Sequence, residues 1–478
     1  MRDDGNPVPK AQSQGSQSPG LPATAVAAVM LLTVTLSPGG SAAAAPAAGP
    51  KPTVITLDIP APKDSAGGIL VADVNDDGAM DYLVTVPGHL AVYGADGRKL
   101  WIKRLDIVVG GQSESQGLPG HHGPGAAAGD VDGDGHCEVV FLTKDSVLHV
   151  LDGATGRSEA RAKPSVPAGA QRWEVAMIAD FRRRGDDRDL LLQATNRKGY
   201  RTGRYLAAYA TAELLKGARP LWTTDRFVSC AHNSARLGDI TGDGRDEVLG
   251  ATILSHDGRV LARAATFRGH MDSVFVADVA PDKAGLEVVL LEEGSNAVQV
   301  LGAGGVIWRR DYKRWEPQNA AVGRFAPDSN ETFIWCRSRF NTHQKPFVFN
   351  AKGKVVFAYE MDGVAPRGWT ASGVETIYTI DWTGRRQQLV CAKERHTSGD
   401  VCLFEPLTGK FVVRIRDKCD RLMVADVTGD WREEVIVLSG SELHVYRNPA
   451  ANPRPNVNRL WADRNYRRRK QCYNYYSP

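Results

Sequence analysis

Four short stretches of the chain set side-chain oxygens at alternating positions around a tight turn. Asp130, Asp132, Asp134 and Glu138 do so within HHGPGAAAGDVDGDGHCEVV, and the carbonyl of His136 falls between the last two. Asp73, Asn75, Asp77 and Asp81 repeat the spacing, as do Asp239, Thr241, Asp243 and Glu247, and Asp426, Thr428, Asp430 and Glu434. Several hard oxygen donors wrapped on one turn suit calcium, whereas magnesium gives up its water too reluctantly for so many protein ligands. Two or more structural calcium ions are expected, with a metal-free Asx turn as the competing reading. The first of these stretches also opens on His121 and His122, whose imidazoles titrate near neutral pH and could move protons.

The acidic stretches are copies of one unit. ADVNDDGAMDYLVT, GDVDGDGHCEVVFL, GDITGDGRDEVLGA, ADVAPDKAGLEVVL and ADVTGDWREEVIVL are the clear copies, and three weaker ones fill the gaps. Equivalent positions are Asp73, Asp130, Asp180, Asp239, Asp278, Arg324, Asp381 and Asp426, spaced 39 to 59 residues apart. The copies at Asp180, Arg324 and Asp381 have lost the oxygen pattern and are expected to hold no metal. Each unit continues as a strand, a Gly or Asp turn and another strand, as in HLAVYGADGRKLW, and no long amphipathic helical pattern intervenes. Short strands recurring at such a period predict an all-β, eight-bladed β-propeller with acidic inter-strand loops. Seven blades is the alternative, if the most degenerate copy is an insertion. The last unit, ending ELHVYRN, lacks an outermost strand, so either PTVITLDIP or the aromatic tail 459–478 must close the ring.

In this architecture the acidic loops join first strands to second strands. The opposite face carries the segments leading into first strands and those joining second strands to third. Sorting by that rule gathers His121, His122, Arg172, Trp173, His232, Asn233, His270, Asp272, Gln318, Asn319 and Trp369 from the leading segments. The other connections add Arg197, Tyr200, Arg201, Arg337, Arg339, His343, Lys393, Arg395 and His396. Six of the 11 histidines fall on this face. A basic, aromatic surface suits an acidic polysaccharide. Loss of the C5 proton of a uronate, with departure of its 4-O-glycosyl group, needs carboxylate neutralisation by arginines or a cation. It also needs a base such as His and a proton donor such as Tyr. Glycoside hydrolysis would need two facing carboxylates, and no pair stands out. No HExxH, serine elbow, dinucleotide fingerprint or P-loop is present.

The 478 residues are 42% hydrophobic, enough for a large core, and Lys+Arg 59 against Asp+Glu 55 is close to balance. Nucleic acid is therefore not an expected partner. Residues 1–48 read as a signal peptide and Ala-rich leader, with an apolar run too short to span a bilayer, and predict a secreted, monomeric protein. The propeller is expected over 52–478. Seven cysteines give no disulfide framework, although Cys391 and Cys402 flank a hairpin and could bridge across it.

The run CAHNSARLGDITGDGRDEVLGATILSHDG, followed by GHMDSVFVADVAPDKAGLEVVLLEE, resembles the propeller polysaccharide lyases of the rhamnogalacturonan lyase type. The likeness covers roughly residues 60–478, and its specific part runs from Cys230 to Glu293. It implies a calcium-containing, eight-bladed enzyme that cleaves an acidic glycan by β-elimination. Two departures, Ser234 where the family pattern has a second His and Met271 within GHMD, leave rhamnogalacturonan and rhamnose–glucuronate glycans both open as substrates. On this reading His122 and His232 are the candidate acid and base and Tyr200 the proton donor. His270, held by Asp272, supports them, and Arg337 and Arg339 are the candidate carboxylate clamp, with Arg197 and Arg201 as rivals. A non-catalytic glycan- or protein-binding propeller and a glycoside hydrolase are the alternatives.

Overall fold

The strand pattern of every unit is met. In a computed structural model of the chain, the strands among the described residues form eight sheets, six with all their members in chain order and two completed by a strand from the beginning of the chain. The structure describes residues 45–62, 66–109, 123–185, 187–195, 204–228, 234–265, 271–311, 316–327, 329–338, 345–367, 369, 374–394 and 399–471. Blade 1 runs Gly68–Ala72, Asp81–Val86, His89–Tyr93 and Lys99–Arg104; blades 2 to 7 begin at Ala126, Val175, Arg236, Met271, Pro317 and Val374. First strands of neighbouring blades pack against one another at seven of the eight junctions round the axis. Eight blades are therefore present, not seven. Blade 8 starts at Arg421–Ala425 and takes its outermost strand, Thr53–Thr56, from the beginning of the chain. That pairing satisfies the edge expected to be open. The last residues of the expected leader, Ala47–Ala48, add a parallel fifth strand to blade 7.

Two recurring devices explain why the repeat keeps its shape. The first is the carboxylate that opens the second strand in six of the eight blades. Asp81, Glu138, Asp189, Glu247, Glu287 and Glu434 each accept a backbone N–H from the loop before them, at Val74, Val131, Phe181, Ile240, Val279 and Val427, over 2.8–3.0 Å. Asp189 and Glu287 do this in loops that lack the four-oxygen pattern, so this acid is structural whether or not metal binds. The second device is a tryptophan latch. The indole N–H of Trp101, Trp222 and Trp308, on outermost strands, donates to the Gly153, His256 and Ala351 carbonyls of the next blade. Gly156, Gly258 and Gly353 lie under those rings with positive φ, and a Cβ there would sit 2.6–2.8 Å from ring carbon.

Apolar side chains from facing blades fill the spaces between sheets, as in the cluster of Val108, Val140, Val150, Ile178 and Leu192 between blades 2 and 3. Cys391 and Cys402 do not bridge. They sit one register apart, opposite Leu403 and Ala392, so successive side chains alternate across the sheet and the two thiols enter different cores. Both are free.

The tail is not a strand. Arg464–Gln471 forms a short helix against the first strands of blades 1 and 4. Its anchors are chiefly cations. Arg468 reaches Asp246 and Asp187 at 2.9 and 2.7 Å, Arg464 reaches Asp246 at 2.8 Å, and Lys470 reaches Glu433 at 2.7 Å. Tyr466 donates its hydroxyl proton to Glu433 and accepts the Asp426 N–H.

Candidate functional site

The acidic loops differ from one another more than their sequences suggest. In blade 2, Asp130 accepts the N–H groups of Gly133 and Gly135, and Asp132 and Asp134 accept those two residues on. This folding turns oxygens of Asp130, Asp132 and Glu138 to within 4.8 Å of one another, the one such carboxylate group found among the described residues. Burial first, and then the charges of Asp132, Glu159 and Asp134, push the Glu138 carboxyl up to about 8 despite the Val131 N–H. A cation would relieve both penalties. In the loop of blade 4, one oxygen of Glu247 is buried without a hydrogen-bond partner, and in blade 8 one oxygen of Asp426 is likewise. A hard cation fits such oxygens.

Other expected ligands have local partners. Asp430 is held by Arg432 at 2.6 Å, and Asp243 lies 3.3 Å from Arg245, so each carries its own counter-charge. Thr428 donates its hydroxyl proton to Glu434, while Thr241 offers its N–H to Glu247. In blade 1, Asn75 and Asp77 bond each other and Asp73 accepts two backbone N–H groups, while one oxygen of Asp81 is buried without a partner. His136 turns its ring across to Asp76 of blade 1 at 3.0 Å, and that bond, with the nearby acids, raises its pKa. The loop of blade 2 is thus the strongest metal candidate.

On the opposite rim the expected residues divide. His121, His122, Arg197, Tyr200, Arg201, His232, Asn233, His270, Arg339, His343, Arg395 and His396 lie outside the described residues. Asp272 is placed on the first strand of blade 5, with its side chain outside the description. Gln318 and Asn319 follow Pro317 at the start of the first strand of blade 6, and Arg337 is the last residue but one of its second. The Arg337 guanidinium donates to the Gln318 side-chain oxygen, and Ser273 of blade 5 donates to the Gln318 carbonyl at 2.6 Å. Arg337, Gln318 and Asn319 are all buried. Arg337, expected in a clamp, is thus buried and tied to Gln318 at this rim. Arg172 and Lys393 are half-buried at the same rim.

Two expected sugar platforms are core residues. Trp173 donates its indole N–H to the Pro164 carbonyl and is 1% exposed. Trp369 donates to the Asp400 carbonyl and packs edge-on against Phe411, their centroids 5.3 Å apart. Neither ring has a free face on which a sugar could stack. The groups that sequence reasoning missed are the carboxylates before second strands, Asp246 and Glu433. Each accepts the N–H of the loop residue one blade back, Asp180 and Asp381, and returns its own N–H to that residue's carbonyl. The doubled acids Asp246-Glu247 and Glu433-Glu434 were the available signal.

Comparison with known proteins places this geometry. The signature of rhamnogalacturonan lyase family 11, C-terminal domain, matches residues 197–476. The chain is 23% identical over 377 residues to the rhamnogalacturonan exolyase YesX of Bacillus subtilis (strain 168), covering 66% of this chain and 59% of that protein. It is 25% identical over 456 residues to the endolyase YesW of the same organism, covering 80% of this chain and 67% of that one. The chain thus spans about three fifths to two thirds of the lengths of these relatives. The crystal structure of YesX matches with a TM-score of 0.65 at 20% identity, over 90% of this chain and 80% of that one. That of YesW matches at 0.61 and 20%, over 87% and 78%. The family signature covers more than half of the sequence, and the chain belongs to rhamnogalacturonan lyase family 11.

Proposed function

We propose that the protein is a secreted polysaccharide lyase, exported by its leader and active as a monomer. Its substrate is a uronate-containing, rhamnogalacturonan-type glycan, with rhamnose–glucuronate polymers as the second class to assay. The observation that carries this reading is the family match over 197–476, which spans the segments of His232 and His270. The lyase activities named for the two Bacillus proteins agree with it.

The reaction is assigned to the rim opposite the acidic loops. His232 or His122 removes the C5 proton of a uronate, the C–H electron pair forms the C4–C5 double bond, and the C4–O bond breaks. Tyr200 protonates the leaving oxygen, and His270, oriented by Asp272, supports the base. Charge building on the uronate carboxylate is met by Arg339, with Arg197 and Arg201 as further donors, because such stabilisation is strongest as charge develops. Arg337 acts through Gln318 as a positioning residue.

Calcium is assigned to the loop of Asp130, Asp132 and Glu138, and secondarily to the loops of Glu247 and Asp426. When bound it neutralises mutually repelling carboxylates and stiffens the blades, and it takes no part in the elimination. The deciding experiment incubates the protein with both glycan classes and follows ultraviolet absorbance of unsaturated uronate. The expected result is product formation, lost by orders of magnitude in His232→Ala or in His122→Ala at unchanged melting temperature. Near-full activity in both variants would overturn the assignment.

A further inference from the structure

The tail helix fills the axial channel unevenly. Its anchors lie on blades 2, 3, 4 and 8, at the Ala128 carbonyl, Asp187, Asp246 and Glu433. On the side of blades 5, 6 and 7 it leaves a chamber of about 560 Å³, within the range of small-ligand pockets. The chamber lies in the half of the channel nearer the acidic loops. It reaches solvent beside Asp278, Arg324, Asn330 and Arg469, all exposed.

Those three blades are the ones in which the residue opening the loop has left its ordinary task. Asp73, Asp130, Asp180, Asp239 and Asp426 each accept backbone N–H groups of their own loops. Asp278 accepts none of this kind, Arg324 replaces the acid altogether, and Asp381 is bonded instead by the Gln388 side chain at 2.8 Å. All three line the chamber. Asp381 is 7% exposed, and its second carboxylate oxygen is buried there without a partner. Burial and the charge of Glu433 raise the Asp381 carboxyl, and the Gln388 hydrogen bond with the positive charges of Arg324 and Arg469 acts against them. Phe275, Ile377 and Met423 supply apolar wall.

We propose that this chamber is a second ligand site, separate from the rim, that takes a small hydroxylated carboxylate of uronic-acid size. Its carboxylate would meet Arg324 and Arg469 at the mouth, a hydroxyl would donate to the orphaned oxygen of Asp381, and the sugar ring would lie on the apolar wall. An unpartnered buried carboxylate oxygen is costly, and a ligand hydroxyl removes that cost. The paired cations select an anion over a neutral sugar. The choice of uronates among hydroxylated acids rests on the lyase reading, because that reaction would release uronate-ended oligosaccharides.

Isothermal titration of the full chain with D-galacturonate and with D-glucuronate, with L-rhamnose as neutral control, tests the site. The expected result is binding of a uronate and not of rhamnose, weakened at least tenfold in Arg324→Ala and in Asp381→Asn and retained in His232→Ala. Arg324 is exposed, so its variant keeps the test valid if Asp381→Asn fails to fold. Absence of uronate binding, or binding unchanged by Arg324→Ala, would overturn the proposal. Uronate binding that depends on Arg324, in a protein yielding no unsaturated product, would uphold the chamber and remove the lyase reading alone.

Discussion

Arg468 in the tail and Asp246 in the loop of blade 4 are separated by 222 positions in sequence and by 2.9 Å in space. Both side chains are essentially sealed from solvent, at 2% and 0% exposure. Asp246 is also the group that clasps the Asp180 backbone of the preceding blade, so the tail neutralises a carboxylate on which two blades depend. Burial alone would raise the Asp187 carboxyl beside it, and the Arg468 guanidinium together with the charges of Arg467 and Arg464 outweighs this, lowering its pKa.

Removing Arg468 takes one counter-charge from Asp187 and one from the buried Asp246, which keeps Arg464 at 2.8 Å. Breaking a buried pair in this way costs about 3–5 kcal/mol, so Arg468→Met is expected to lower stability by that amount in denaturant titration. Adding Asp187→Asn to Arg468→Met should recover part of the loss. A double variant no more stable than Arg468→Met would mean that the loss comes from packing and not from stranded charge.

The tryptophan latch makes a steric prediction. Gly156 has φ 68° and would place a Cβ 2.6 Å from Trp101, whereas Gly88 has φ 84° with nothing within 4 Å. Gly88→Ala should cost about 1–2 kcal/mol for left-handed backbone alone. Gly156→Ala adds overpacking of roughly 1–3 kcal/mol. Thermal melts of the two variants should therefore separate, and equal midpoints would count against the latch as a source of stability.

The propeller was legible because each blade repeats its own local chemistry. An acid opens the second strand at Glu138, Asp189 and Glu287 alike, and alternating strands follow it. Blade 3 keeps that acid although its loop has lost the metal pattern, which is why eight blades could be counted from five clear copies. The rim was less legible. Trp173 and Trp369 stand before first strands, where a ring could face either the funnel or the neighbouring blade, and nothing local decides between them. Arg337 was read as a substrate contact because its partner Gln318 lies on another strand. The tail's cations were overlooked for the same reason. The acids that meet Arg468 are more than two hundred positions away, and Glu433, which meets Lys470, lies on another blade element with no local pattern linking them.

His444 supplies a pH dependence away from the candidate metal loops. Burial lowers its pKa, but hydrogen bonds and charges from Asp417 at 2.6 Å and Glu442 at 3.2 Å outweigh this and raise it above 6.5. A folded-state pKa above the unfolded one means that the native state binds the proton more tightly. The stabilisation is fully present below pH 6.5 and is lost as pH rises through the raised value. His444→Gln should flatten the fall of melting temperature between pH 6 and pH 9 relative to the parent protein. An identical slope in both proteins would show that other groups set it.

Calcium and the loop of blade 2 give the last prediction. Oxygens of Asp130, Asp132 and Glu138 converge within 4.8 Å of one another, whereas Asp430 in blade 8 is held by Arg432 at 2.6 Å. Neutralising a carboxylate in the first loop should therefore abolish a calcium effect that the same change in the second leaves largely intact. A ligand that binds only the native state stabilises it by about 2.7 kcal/mol at a free concentration 100 times its dissociation constant. Added calcium should raise the melting temperature of the desalted protein, and chelation should reverse the rise. Asp132→Asn should remove most of this response, and Asp430→Asn should remove little of it. Magnesium at the same concentration should do less, because the cluster offers many protein oxygens and the smaller ion keeps its water. A response equal for both ions, or equal in both variants, would return the loops to the status of metal-free Asx turns and leave Glu138 with its single structural bond to the Val131 N–H.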